Sequence, residues 1–390
     1  MMLRNKIQFV RTIALLGAGI LGIAGSASAR ENVGGKRDPN AQLKSTAAGC
    51  QPATAAIDLD INNVRARLMT GGDMWWNNGQ GNAAYEVPKG SGRHSQFAAS
   101  CWIGGYDKQG QLKVAAQTYR QDGNDYWPGA LDENGKITSD GCILWDRFWK
   151  VDRSTINRFR QAYKTGTDTK AADFDVINQW PAVGNNNIVG NGGSKITLNP
   201  ANTYAPFVDL NGDGRYQPSE GEYPDIRGDQ YIWWVFNDAG NVKQQSITAS
   251  MGVEVQTSAF AYATQDFLNN ASFYNYRVIN RGPLTIDSTY IAVWDDADLG
   301  YYYDDFIGCD TSRGLGILYN GTNNDGGAAG NPRNSYGVNP PQIALDYFQG
   351  PKRVKKRSGL PDTVEQLKMT NFTYYNNDPS IIGNPSNGIQ

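Results

Sequence analysis

Histidine is almost absent: His94 is the only one in 390 residues. It sits among Gly92, Arg93 and Ser95, which read as a polar loop, so histidine metal sites and proton shuttles have little to draw on. No serine stands in a GxSxG elbow, and no GxGxxG or Walker-type loop offers a cradle for phosphate. Cysteine is scarce as well, at Cys50, Cys101, Cys142 and Cys309. Their isolation argues against zinc. The even count permits two disulfides in three connectivities, which sequence does not resolve, and buried free thiols are the alternative because a chain this long does not need staples. Neither sign of charge dominates, with 36 basic against 38 acidic residues, so no basic face points to nucleic acid. The one basic run, Lys352 to Arg357, lies between Pro351 and Gly359 and reads as a solvated loop. Beyond the N-terminus no apolar run reaches ~18 residues, the length needed to span a bilayer.

The first 29 residues read as a secretory leader. Arg4, Lys6 and Arg11 precede or open an apolar run from Thr12 to Ile23, and Ala27-Ser28-Ala29 forms a small-residue cleavage site. Its removal takes three basic residues and no acidic ones, lowering the formal charge from −2 to −5. Thr46 to Cys50 superficially resembles a lipoprotein box but stands too far beyond the apolar run to direct lipidation.

With 45 glycines and 21 tyrosines, the chain reads as mostly β, with β-sandwich character and short helices. Residues 30–56 are a polar linker or arm. A β-rich region follows over 57–205, a calcium loop and sandwich-like region over 206–350, and a Gly/Asn/Pro-rich tail over 351–390. Alternation predicts a strand at Ile57–Ile61, a hairpin across Phe97–Gln117 turning near Gly110, and strands within Tyr231–Phe236, Ser246–Thr264, Ser272–Asn280 and Thr285–Trp294. A helix is expected over Ser154–Tyr163, capped by Ser154, and a second over Ala172–Gln179, stopped by Pro181. No internal repeat is found.

The most specific stretch is DLNGDGRYQPSE, Asp209 to Glu220. Asp209, Asn211 and Asp213 fall at positions 1, 3 and 5 of the EF-hand calcium loop, Gly214 at 6, Arg215 at 7, Gln217 at 9 and Glu220 at 12. Ca²⁺ takes several hard oxygens at roughly 2.3–2.6 Å, so short oxygen-bearing side chains must alternate around a tight turn. Gly214 permits the bend, Arg215 supplies a backbone carbonyl, and Glu220 closes the shell. Tyr216 at position 8 packs beneath. A metal-free Asp/Asn/Gly turn is the plainer alternative. Pro206, Pro218 and Pro224 disfavour the long flanking helices of a sensor hand, so the loop reads as a structural clip.

A second acidic cluster comprises Asp295, Asp296, Asp298, Asp304, Asp305 and Asp310. Asp296, Asp298, Asp304 and Asp305 are candidate ligands of a second cation, with a solvated acidic loop as the alternative. Trp75-Trp76 and Trp233-Trp234 place successive rings on opposite faces if extended. Core packing is their expected role, and sugar stacking by one of each pair the alternative.

Several stretches resemble the N-terminal region of large Bacteroidota secreted proteins that carry a type IX secretion sorting domain. They are DLDINNVRARLMTGGDMWW (58–76), YEVPKGSG (85–92), CWIGGYDKQGQLKVAAQTYRQDGNDYWPG (101–129), EYPDIRGDQYIWWVFND (222–238), DADLGYYYDDFIGCD (296–310) and NPPQIALDYFQGP (339–351), together with the calcium loop. The resemblance covers most of the mature chain. It implies export to the periplasm, then transfer by secretion machinery to the outer surface or medium. It supplies no activity. The sorting domain is not found in this sequence, whose end at Gln390 reads as a truncation. The combined expectation is a calcium-stabilised structural or binding protein of the cell surface, with cell-surface or polysaccharide ligands, no catalytic residues and no transmembrane span after cleavage. An extracellular carbohydrate-active enzyme or carbohydrate-binding module is the alternative.

Overall fold

The computed structural model describes residues 48–120, 123–359 and 361–375. The expected leader, the first part of the arm and the last part of the tail lie outside these residues. The chain is mostly strands, and its paired strands run antiparallel.

An eight-stranded sheet is built from β1 (Ala56–Leu59), β2 (Arg65–Met69), β3 (Asp73–Met74), β4 (Tyr85–Glu86), β5 (His94–Gln96), β6 (Ala98–Tyr106) and β7 (Leu112–Ala115). A late strand joins them at the edge, β15, introduced below. After β8 (Trp127–Pro128), α1 (Ser139–Trp145), β9 (Trp149–Asp152) and α2 (Arg153–Thr165) come two short strands that bracket the 209–220 stretch, β10 (Phe207–Val208) and β11 (Tyr223–Pro224). The long strands β12 (Gln230–Asn237), β13 (Val253–Ala261) and β14 (Phe273–Asn280) pair in order to form a second sheet, in which β8 and β9 also pair with β12. Then β15 (Asp287–Asp296) crosses back and pairs with β6, in the order β15-β6-β3-β2-β4-β5.

Strand β12 is the shared wall of the molecule. All eight of its residues are buried, because alternate side chains leave opposite faces of a strand and both faces are covered. Ile232, Trp234 and Phe236 enter a core with Ala66, Leu68, Met74, Cys101 and Ile103 of the first sheet. Tyr231, Trp233 and Val235 enter a second core with Trp149, Ile156, Phe159, Trp180 and Tyr216. Removing a buried tryptophan from such a site costs about 3–5 kcal/mol. All four paired tryptophans are buried: Trp75 joins the first core, and Trp76 packs with Met69 and Ala98.

Helix α2 starts at Arg153 rather than being capped by Ser154; its N-cap is Asp152, the last residue of β9. Arg153 is fixed there because its guanidinium donates to Ile226 O and Gly228 O. The helix ends in left-handed Gly166. The expected second helix is a 3-10 turn, Ala172–Phe174, followed by one α turn, Asp175–Asn178.

Three local expectations change. His94 lies on β5, not in a loop; its backbone pairs with Glu86. The basic run is largely the exposed strand β19 (Lys352–Lys355), preceded by β16 (Asp305–Asp310), β17 (Leu315–Asn320) and β18 (Ile343–Asp346) and paired with β20 (Thr363–Gln366). Two of its charges are met across the ladder, since Arg353 and Lys355 both bridge Glu365. Of the four cysteines, Cys50 and Cys142 form a disulfide that ties residues near the arm to α1, while Cys101 and Cys309 are thiols.

Candidate metal centre

The backbone pairing Phe207–Pro224 and Val208–Tyr223 brings the two ends of the 209–220 stretch together. Between them Gly212 and Gly214 have φ of 77° and 73°, the left-handed region where a side chain is strained. Asp209 accepts from Gly212 N (2.7 Å) through one carboxylate oxygen and from Gly214 N (2.8 Å) through the other. Asn211 accepts from Asp213 N (2.9 Å), and Asp213 from Arg215 N (2.8 Å). Each short acid or amide thus folds the backbone around itself, as Asx turns do. Asn211 Nδ2 donates to Glu220 Oε2 (2.7 Å), and Gln217 Nε2 to Asp213 Oδ2 (3.1 Å), so positions 1 to 12 close into one exposed loop.

Tyr216 is the buried underside. It is 1 % exposed, its ring meets Phe207 at 5.4 Å, and its hydroxyl donates to Ile177 O at 2.8 Å. Its backbone N–H donates to Val183 O (2.7 Å), made possible by the close approach of Gly184 to Arg215. Pro218 opens a 3-10 turn, Pro218–Glu220, rather than a long helix. The flanks are therefore short strands and one turn.

Sequence reasoning missed Glu222. This fully buried carboxylate accepts from Leu210 N (3.0 Å) on one side of the loop and Gln217 N (2.8 Å) on the other. Standing two residues past the motif, it cinches the two sides of the loop together. Asp209, Asp213 and Glu220 form no ion pair among the described residues, and Asp209 is held below the ordinary carboxylate range by the amides of Gly214 and Gly212. Among the described residues no three His, Cys, Asp or Glu side chains are already gathered around one point; the EF-type set also draws on Asn211 and the Arg215 carbonyl.

The second acidic region differs. Asp295 and Asp296 are successive on β15 and pair with Ala99 and Ala98 of β6, so they leave opposite faces. Asp296 accepts from the Tyr119 hydroxyl. Asp298 is driven well above its ordinary range by burial and then by the charges of Asp296, Asp305 and Asp295. Asp305 is pushed up to about 8, mainly by burial. One oxygen of Asp305 accepts from Leu299 N (2.8 Å) and one of Asp304 from Gly326 N (3.0 Å). The second oxygen of each is shut off from water and has no partner. Asp325 joins the group unforeseen: it is fully buried and accepts from the backbones of Tyr301 and Tyr336. Asp310 drops out, since it belongs to its own turn with Ser312 and Arg313.

His94 is partly buried, its Nδ1 has no partner, and burial lowers its pKa. No helix among the described residues is long and apolar enough to cross a membrane. Comparison with known proteins finds no matching family model, no matching curated protein and no matching solved structure.

Proposed function

We propose that the chain is a secreted or cell-surface structural and binding protein, built on a β-sandwich-like pair of sheets, clipped by calcium, and exported as cargo of a type IX secretion pathway. The observation that carries the calcium reading is the loop itself. Asp209, Asn211, Asp213, the Arg215 carbonyl and Glu220 follow the EF-type order on a turn cinched beneath by Glu222. An ion there would neutralise three carboxylates that have no basic partner among the described residues. The export reading rests on the leader-like N-terminus and on the quoted resemblance.

For a second cation at Asp296, Asp298, Asp304 and Asp305 the support is the unpartnered, water-excluded oxygens of Asp304 and Asp305; against it, no three acidic side chains among the described residues converge on one point. A carbohydrate-active enzyme is less well supported, because the paired tryptophans that would stack on sugar are buried. Calorimetric titration of calcium into the mature protein and into an Asp213→Ala, Glu220→Ala double variant tests the first site. Saturable heat is expected from the former, reduced by one site in the latter; equal heats from the two overturn the assignment.

A further inference from the structure

Strands β19 and β20 pair with each other and with no other strand. Every described residue from Pro351 to Val364 is exposed, and none of the hairpin's side chains enters a described core. A two-stranded hairpin is marginal when nothing covers it. Its register sorts the side chains. Val354 stands opposite Val364 and Lys352 opposite Gln366, so these four share one face, while Arg353, Lys355, Thr363 and Glu365 share the other. The second face is largely self-satisfied, with Glu365 bridging Arg353 at 2.6 Å and Lys355 at 2.9 Å. The first face has no acid. Its valines are 56 % and 64 % exposed. Lys352 there, and Lys356 and Arg357 at the turn, are exposed and form no ion pair among the described residues. Five basic residues against Asp362 and Glu365 give 352–366 a charge of +3, in a chain whose total is −2.

We propose that this hairpin docks the protein on an anionic lipid surface, valine face inward. Seating at such a surface needs apolar area that gains by leaving water and cations that meet the headgroup phosphates. The first face and the turn supply both. A soluble polyanion would reward the cations but leave the valines in water. An apolar protein groove would cover the valines but strand Lys352. Only a lipid surface uses the two together. The attachment is peripheral, and the net negative charge of the rest of the chain confines close approach to this arm. The proposal goes beyond the structural and binding role given above and rests on neither acidic region.

Vesicle flotation of the mature protein makes the test, in chelator so that no divalent ion bridges protein and lipid. Vesicles of phosphatidylcholine alone are compared with vesicles in which roughly a third is phosphatidylglycerol, which sets up a negative surface. Binding is expected to the second and not the first, and should fall at high salt as the headgroup charge is screened. A Lys352→Glu, Lys356→Glu variant should bind more weakly by about tenfold or more. A Val354→Ser, Val364→Ser variant should lose about fivefold. All four positions are exposed, so both variants should melt like the wild type. The Asp213→Ala, Glu220→Ala variant should bind vesicles like the wild type, which separates this proposal from the calcium reading. Failure of the wild type to bind the phosphatidylglycerol vesicles, or equal binding to both kinds, overturns the proposal. Undiminished binding by the lysine variant overturns it equally. Loss with the lysine variant but wild-type binding by the valine variant would make the hairpin a site for any polyanion, and the lipid assignment would be wrong.

Discussion

The two acidic regions are opposites. In Asp209–Glu220 the charges are exposed and their order is local; Asp209 and Asp213 accept from backbone amides of their own turn, and Glu220 accepts from the Asn211 side chain. Around Asp298 and Asp305 the carboxylates come from β15, the loop after it, β16 and distant Asp325, and they are at least partly buried. Water solvates the first set whether or not an ion is present. The second set lacks that relief, and its members push one another's protonation upward. A calcium ion at the first would add order to a loop already formed, whereas burial and mutual repulsion shift the second set toward its protonated form.

The largest expected effect separates the two by pH. Asp305 has a folded-state pKa of about 8, above its unfolded value of ~3.9, so the folded state holds the proton longer. Stability of the cation-free protein should then fall as pH rises from about 4 to about 8, not grow. At ~1.4 kcal/mol per unit, discounted for partial exposure, the loss is on the order of 3 kcal/mol. Asp209 has the opposite sign: its depressed pKa contributes stability above the ordinary carboxylate range that is lost as pH falls. Thermal melts in chelator at pH 5 and 8.5 should show the lower melting point at 8.5, and added calcium should shrink the gap. Asp305→Asn should flatten the slope, and Asp209→Asn should not. Equal melting points at both pH values in chelator would remove the distinction between the regions.

What could be read in advance follows the same division. The turn at Asp209–Glu220 was legible because its oxygen-bearing side chains recur at fixed places within twelve consecutive residues, and β12 was legible as an unbroken apolar run bounded by polar residues. Glu222 was not, since nothing in its local sequence shows that its carboxylate spans Leu210 and Gln217. Asp325 was hidden in a Gly/Asn-rich stretch and meets Tyr301 only when β16 and β17 fold back on each other. Pairing of Cys50 with Cys142 across 92 residues could not be chosen among the three connectivities. The strand at Lys352–Lys355 has no apolar alternation; its reason is the cross-strand acid Glu365. The two faces of Trp233-Trp234 were foreseen, but that both would be covered depends on two separate cores.

A smaller effect asks whether the first region is a clip or a switch. A loop tied by β10, β11 and the Pro218 turn has no long helices to swing. Its ion should add stability by binding the folded state alone, about 2.7 kcal/mol at free calcium ~100 times the dissociation constant. Melting at pH 6 should rise by several degrees with calcium, while the small-angle scattering profile stays unchanged. A profile that changed markedly on chelation, with the melting point fixed, would make the loop a switch instead.

The smallest effect concerns Glu222, which distinguishes the loop's scaffold from its ligands. As a buried carboxylate it gives both Leu210 N and Gln217 N an acceptor oxygen. Glu222→Gln keeps the shape but offers only one carbonyl oxygen, so one of the two N–H groups must face an NH₂ donor. Leaving one such donor unsatisfied costs about 1–2 kcal/mol, a drop of a few degrees in melting point at most for a chain of this size. Because the two sides of the loop are then less firmly joined, calcium affinity should fall several-fold even though no ligand has been removed. The pH slope belonging to Asp298 and Asp305 should stay as in the wild type, since Glu222 does not enter that group. If Glu222→Gln melted and bound calcium like the wild type, the loop would be held by its own Asx turns alone. If it altered the pH slope instead, the two acidic regions would be coupled, and treating them as separate would be wrong.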